Sequence, residues 1–238
     1  MAYIYEYIRT RGHEPLHFEE HYARLEALSA KYFTEATFFH PQDVWNFIIE
    51  SMKEGNLPTS GMNCAYILFF HDGEINYQSN WMMYDKFSLR ALRPNCYPVC
   101  VSGEVVIDNT SVKDRLIEFY HSSSDDDHLN DVAIWHNEQG EVLAIDGSAV
   151  IAVFEDEIIF SNYGQGVEFD LAFELLSKSR NDVSKGVIKL EDLPRAKELL
   201  FIDYRGITAV QQLYDSTIYM DITAEKIASI VRKAEDKL

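Results

Sequence analysis

Four places in the 238-residue chain carry side chains that could do chemistry. In His21-Tyr22-Ala23-Arg24-Leu25, Arg24 lies one step off an apolar helical stripe, where an arginine ordinarily snorkels or pairs with an acid. Lys113 stands at the start of a helical pattern. The helix dipole favours anions there, so either the lysine is simply solvated or some other requirement holds it. Asp146-Gly147-Ser148 lies between two apolar runs and by itself reads as a turn. Tyr204-Arg205-Gly206-Ile207-Thr208 follows another apolar run, and an arginine and glycine at a strand end either bind an anion or turn the chain. Cys64, Cys96 and Cys100 form no paired CxxC pattern and suit a reducing compartment. Cys96 and Cys100 have no His or Cys nearby to complete a metal site, so no metal is expected.

The elements that must position these residues follow from hydrophobic period and punctuation. Residues 3–9 are rich in β-formers, and Arg11-Gly12-His13 reads as a hairpin turn. Phe18, Tyr22, Leu25, Leu28 and Tyr32 recur at spacings of three and four, which predicts a helix over 18–33. Pro41 opens a second helix and Gly55 closes it. Strands are expected at 64–70, 75–81, 87–92 and 97–101. A Gly/Asp/Asn/Thr/Ser stretch at 103–112 marks a domain junction. A short helix at 112–121 leads into a solvated loop at 122–128. A β-meander over 132–154, a strand at 158–160, a strand pair at 200–202 and 208–211, and helices at 167–177, 192–198 and 223–236 complete the reading. The expected class is α+β in two unequal parts with mainly antiparallel sheets: a small domain over 1–108 and a larger one over 109–238.

Composition excludes several functions. With 21 Lys+Arg against 39 Asp+Glu the formal charge is −18, so the surface repels nucleic acid and anionic lipid. The hydrophobic fraction of 47% is that of a globular chain. The N-terminal residues lack the basic-then-apolar layout of a signal peptide and no apolar run is long enough to span a membrane, so a cytoplasmic protein is expected.

In their order along the chain, these residues resemble the fold-type IV pyridoxal-phosphate enzymes: branched-chain and D-amino-acid aminotransferases and 4-amino-4-deoxychorismate lyase. The resemblance covers nearly the whole chain. It is most specific in Glu6-x-Ile8-Arg9 followed by Pro15-Leu16-x-Phe18-x-Glu20-His21-x-x-Arg24-Leu25-x-x-x-Ser29. Gln165-Gly166-Val167 looks like the family's glycine turn, and 196–210 is similar to its final block. The resemblance implies a two-domain D-amino-acid-aminotransferase-like fold, with a smaller N-terminal α/β sandwich and a larger C-terminal β-barrel-like domain with helices. It also implies pyridoxal 5'-phosphate as cofactor, a small amino-acid-type substrate and a homodimer. Arg24 would grip the cofactor phosphate together with the amides at Gly166 and Val167. Lys113 would form the Schiff base and shuttle the α-proton, and Asp146 would hold the pyridine nitrogen protonated. Tyr7, Arg9 and Tyr66 would face the substrate.

A competing alignment, anchored on Asp114-Arg115 and Gly140, puts Ser111 and Ala144 in place of Lys113 and Asp146 and leaves no Schiff-base residue. The first alignment fills both chemical roles and is preferred. The chain departs from the family pattern at Ile151, Glu168, Asp203 and Leu68. Two of these are acids near where a phosphate would sit, which is unfavourable unless they point away or pair with Arg205 or Arg24. Two functions are therefore expected. The first is a pyridoxal-phosphate lyase releasing pyruvate from 4-amino-4-deoxychorismate, or a small class IV aminotransferase. The alternative is a relative that has lost the cofactor and serves as a binding or scaffold protein.

Overall fold

The computed structural model describes residues 2–33, 39–102, 107–122, 131–213 and 217–238. The chain divides into two compact units. One comprises Met1–Lys86, Asp108–Asp114 and Leu238, the other Phe87–Ile107 and Arg115–Lys237. The boundary expected at 108/109 thus lies where the chain re-enters the first unit for seven residues.

The first unit is built on β1 (Tyr3–Arg11), which turns at Gly12 into the short β2 (Glu14–Pro15). Gly12 has φ +59°, and a Cβ there would stand 2.3 Å from the Thr59 carbonyl oxygen, so the turn requires glycine. Helices α1 (Phe18–Tyr32) and α2 (Pro41–Glu54) follow, then β3 (Met62–Phe70) and β4 (Ile75–Trp81), giving the sheet order β2-β1-β3-β4. β1 and β3 pair antiparallel along their whole length, from Tyr3 opposite Phe70 to Arg11 opposite Met62. Because side chains alternate across a strand, Ile4 and Ile8 of β1 and Ala65, Ile67 and Phe69 of β3 share one face. That face packs on Leu25 and Leu28 of α1 and on Val44, Ile48 and Met52 of α2. Tyr3, Tyr5, Tyr7 and Arg9 are left on the opposite face.

The second unit contains β5 (Asn95–Cys100), most of α3 (Ser111–Ser122), β6 (Asp131–His136), β7 (Val142–Ile145), β8 (Ala149–Val153) and β9 (Ile158–Ser161). It continues through α4 (Val167–Ser177), β10 (Val183–Gly186), β11 (Glu198–Asp203), β12 (Gly206–Ala209), β13 (Gln212–Leu213), β14 (Thr217–Ile218) and α5 (Ile222–Glu235). The strands form two five-stranded sheets, β10-β9-β8-β11-β12 and β14-β13-β5-β6-β7. β8 shows why its sequence is apolar at every position. Ala149, Ile151 and Val153 pack toward Phe169 and Ala172 of α4 and Ala224 and Ile227 of α5, whereas Val150 and Ala152 pack on Ile134 and Val142 of the other sheet. A strand covered on both faces has no polar side to show.

Some expectations are corrected. Residues 87–92 do not form a strand. Leu89 makes a single bridge to Ile207, and the glycine at 206 makes room for this segment. The helix expected at 192–198 is a 3-10 helix, Leu190–Arg195, and Glu198 already belongs to β11. Pro194, with no N–H to donate, is a poor continuation of an α-helix. Three pairings, β10 with β9, β13 with β5 and β5 with β6, are parallel. The loop expected at 122–128 falls, from residue 123 onward, outside the described residues. Among the described residues no helix is long and apolar enough to cross a membrane.

Candidate functional site

In the first unit a buried carboxylate collects the basic residues. Glu6 lies on the helix-facing side of β1 between Ile4 and Ile8 and is only 3% exposed. Its Oε1 lies 2.9 Å from His21 Nδ1 and 3.4 Å from Arg24 Nε, two residues one turn apart on α1. Its Oε2 accepts a hydrogen bond from Asn109 Nδ2 at 3.0 Å, and Asn109 Oδ1 in turn accepts one from Lys113 Nζ at 3.0 Å. Burial alone would raise the proton affinity of Glu6. The Arg24 charge and the hydrogen bonds from His21 and Asn109 outweigh it and hold the carboxyl below its ordinary range.

The segment that carries Asn109 and Lys113 is tied to the edge of β1. Asn109 O accepts from Tyr5 N at 3.0 Å, and Thr110 bridges to Ile4. Asp108 accepts from Lys31 Nζ at 2.6 Å and Tyr32 Oη at 2.5 Å, fixing the segment to the end of α1. On the opposite face of β1, Tyr3 Oη and Tyr66 Oη donate to the same oxygen of Asp114, at 2.8 and 3.2 Å. Burial, together with the nearby Asp114 carboxylate, pushes the proton affinities of Tyr5 and Tyr66 up. The rings of Tyr7 and Tyr66 stack with centroids 4.5 Å apart. Arg9 shares this face and is 2% exposed.

In the second unit Asp146 and Gly147, with φ +49° and +70°, make the two-residue turn between β7 and β8. Ser148 Oγ donates at 2.8 Å to Asp203 Oδ2, at the end of β11. Asp203 also accepts from the Arg205 backbone N–H at 2.7 Å and from its guanidinium, with Nη2 at 2.5 Å. Burial opposes ionisation of Asp203, but Arg205 more than offsets it and the carboxyl is held below its ordinary range. Arg90 Nη1 donates to Thr208 Oγ1 at 3.2 Å. Gly206 makes that approach possible. Its φ is +127°, and a Cβ would stand 2.5 Å from Ser88 O, which accepts from Ile207 N. Gly166, with φ +138°, precedes α4 without any side-chain cap, and Val167 opens the helix. Glu168 lies buried in that first turn.

Of the residues singled out by sequence, Arg24 and Lys113 both connect to Glu6 in the first unit, Arg24 by an ion pair and Lys113 by hydrogen bonds through Asn109. Tyr7, Arg9 and Tyr66 share one sheet face there. Asp146, Gly166 and Val167 belong to the second unit, the first in the β7–β8 turn and the other two at the start of α4. Ser111 and Ala144, from the competing alignment, are the buried first residue of α3 and a fully buried residue of β7. Ile151 and Leu68 are buried strand residues. Residue type and spacing alone do not single out Asn109 or Asp114. The run Asn109-Thr110-Ser111, all helix-capping types ahead of a helical pattern, is the nearest signal for Asn109.

No protein-family model matches the chain, and no curated protein does. Solved structures do. A Legionella pneumophila protein bearing the provisional name 4-amino-4-deoxychorismate lyase matches with a TM-score of 0.78 at 12% identity, over 98% of this chain and 91% of that one. A hypothetical aminotransferase from Mycobacterium tuberculosis, solved with α-ketoglutarate and PMP bound, matches with a TM-score of 0.76 at 12% identity, over 98% and 88%. The Escherichia coli branched-chain amino acid aminotransferase matches with a TM-score of 0.74 at 14% identity, over 95% and 83%. The fold is the two-domain α+β fold of class IV aminotransferases and 4-amino-4-deoxychorismate lyases, as the sequence resemblance implied.

Proposed function

We propose that this chain is a pyridoxal-phosphate-dependent lyase or aminotransferase acting on an amino acid or amino-substituted acid, of the kind that releases pyruvate from 4-amino-4-deoxychorismate or transfers an amine. One observation carries the reading: Glu6 gathers Arg24 on one oxygen and, through Asn109, Lys113 on the other. The donor set fits a phosphorylated anion. Arg24 is ion-paired through Nε, and among the described residues its two terminal nitrogens form no hydrogen bond. The start of α4 offers uncapped amides behind Gly166, where an anion is favoured. Asp203, an acid where the family has a hydroxyl, has its charge taken up by Arg205 and so weighs less against a phosphate.

Bound pyridoxal phosphate supplies an electron sink for the pair released when the substrate loses its α-proton. In this reading the first unit would contribute Arg24 to the phosphate and Lys113 to carry the cofactor and move the α-proton, and the second unit would contribute the Gly166 and Val167 amides for an anion and Asp146 for the pyridine nitrogen. Tyr7, Arg9 and Tyr66 bind the substrate, and the assembly is a homodimer in the cytoplasm. The test is titration with pyridoxal phosphate, followed by borohydride and peptide mass spectrometry. A visible band that borohydride bleaches while leaving the cofactor permanently attached to Lys113, with neither band nor attachment in Lys113→Ala, is expected. Pyruvate release from 4-amino-4-deoxychorismate then separates lyase from aminotransferase.

The buried Glu168 favours a second reading, a cofactor-free binding or scaffold protein on the same fold, because it places an anion in the helix turn that a phosphate would use. No band at saturating cofactor selects this reading and rejects the first.

A further inference from the structure

Lys113 is the third residue of α3, in the turn where the helix dipole repels a cation. Its ammonium nevertheless donates to Asn109 Oδ1, and the amide of Asn109 is oriented by donating at its other end to the buried carboxylate of Glu6. The amide therefore presents its negative end to Lys113 and its positive end to Glu6, and the two hydrogen bonds polarise each other. We propose that Asn109 is the positioning residue for Lys113: it fixes the amine at one place and carries the charge of Glu6 to it, setting the proton affinity of the lysine. This deepens the proposed function and rests on its assignment of Lys113, but the coupling belongs to the cofactor-free chain and can be measured there.

Among the described residues, these charged and titratable groups meet the network. Glu6 comes from β1, with His21 and Arg24 of α1 on its other oxygen. Asp114, next in the chain, accepts hydrogen bonds from Tyr3 and Tyr66 on its own side. Against this background, removing the acceptor oxygen of Asn109 destabilises the ammonium form of Lys113, and adding a charge at the same atom stabilises it.

The experiment is trace acylation of the chain without cofactor by acetic anhydride across a pH series, with Lys113 quantified by peptide mass spectrometry against the exposed Lys178. Asn109→Leu should lower the midpoint of Lys113 by about one pH unit, about tenfold more acylation at any pH below it. Asn109→Asp should raise the midpoint by a similar amount, and Glu6→Gln should lower it. The opposite signs at one position cannot come from unfolding, which would bring every variant to the value of a free lysine. Midpoints that do not move, or that move the same way in both Asn109 variants, overturn the proposal. Because no pyridoxal phosphate is present, this result is independent of whether the chain later proves to bind it.

Discussion

Glu6 and Arg24 meet with Oε1 and Nε 3.4 Å apart, the carboxylate buried and the guanidinium side chain 20% exposed. The contact joins β1 to α1 through an ion pair in which one partner is cut off from solvent. Breaking such a pair by neutralising one side leaves the other charge uncompensated. Glu6→Gln is expected to cost about 3 kcal/mol at neutral pH, read as a lower urea midpoint. The sign of the pH effect follows from the depressed proton affinity of Glu6. Its stabilisation is fully present above the ordinary carboxyl value of 4.5 and is lost as pH falls through its lower value in the folded chain. The gap between wild type and Glu6→Gln should therefore close in acid. A gap of constant size down to strongly acidic pH would contradict the role given to Glu6.

Asp114 is expected to control the ionisation of the tyrosine face. Its carboxylate raises the proton affinities of Tyr5 and Tyr66, in addition to the effect of their burial. Asp114→Asn removes the charge and keeps the size, so these phenols should titrate at lower pH than in the wild type. Ring NMR signals assigned to Tyr5 and Tyr66 separate them from the other phenols, and an unchanged alkaline response of both would contradict the role given to Asp114.

Glu198 gives a stability prediction away from the candidate site. Both of its oxygens lie 2.8 Å from the backbone nitrogen of Thr223, and Oε2 is 3.2 Å from that of Ala224, so a buried side chain of β11 caps the start of α5. Glu198→Ala leaves those amides without an acceptor and should cost about 2 kcal/mol. That corresponds to a fall of about 4–8 °C in the melting temperature for a chain of this size. Calorimetry checks it.

Gly206→Ala should destabilise by about 2 kcal/mol or more, since φ +127° is strained for alanine and its Cβ would collide with the Ser88 backbone. A chemical-denaturation midpoint equal to that of the wild type would mean that residues 88–90 can be released from β12 without cost.

Much of the architecture is legible in local pattern. The heptad-like spacing of Phe18, Tyr22, Leu25 and Leu28, and the runs at Ile75–Trp81 and Val167–Ser177, specify their elements because period and punctuation agree. Segments that depend on distant partners are not legible. Residues 87–92 have the composition of a strand, but Gly206 offers them only the edge of a short β12. The site shows the same division. Arg24 and Lys113 could be singled out from residue type and family order, whereas their connection runs through Asn109, which is 103 positions from Glu6 in the chain. The charge expected to trouble a phosphate at Asp203 could be read from sequence. Its neutralisation by Arg205 depends on the geometry of the turn between β11 and β12.

The return of Asp108–Asp114 to the first unit bears on how this chain folds as it is synthesised. A ribosome that has released only the first 86 residues has delivered both helices and all four strands of that unit. It has not delivered the Asp108 acceptor for Lys31 and Tyr32, the Asn109 partner of Glu6 or the Asp114 anchor of the tyrosines. At that stage Glu6 has only its α1 partners. A nascent first unit is thus held open in its polar contacts until residue 114 emerges, and translation itself sets the moment at which the buried carboxylate is satisfied.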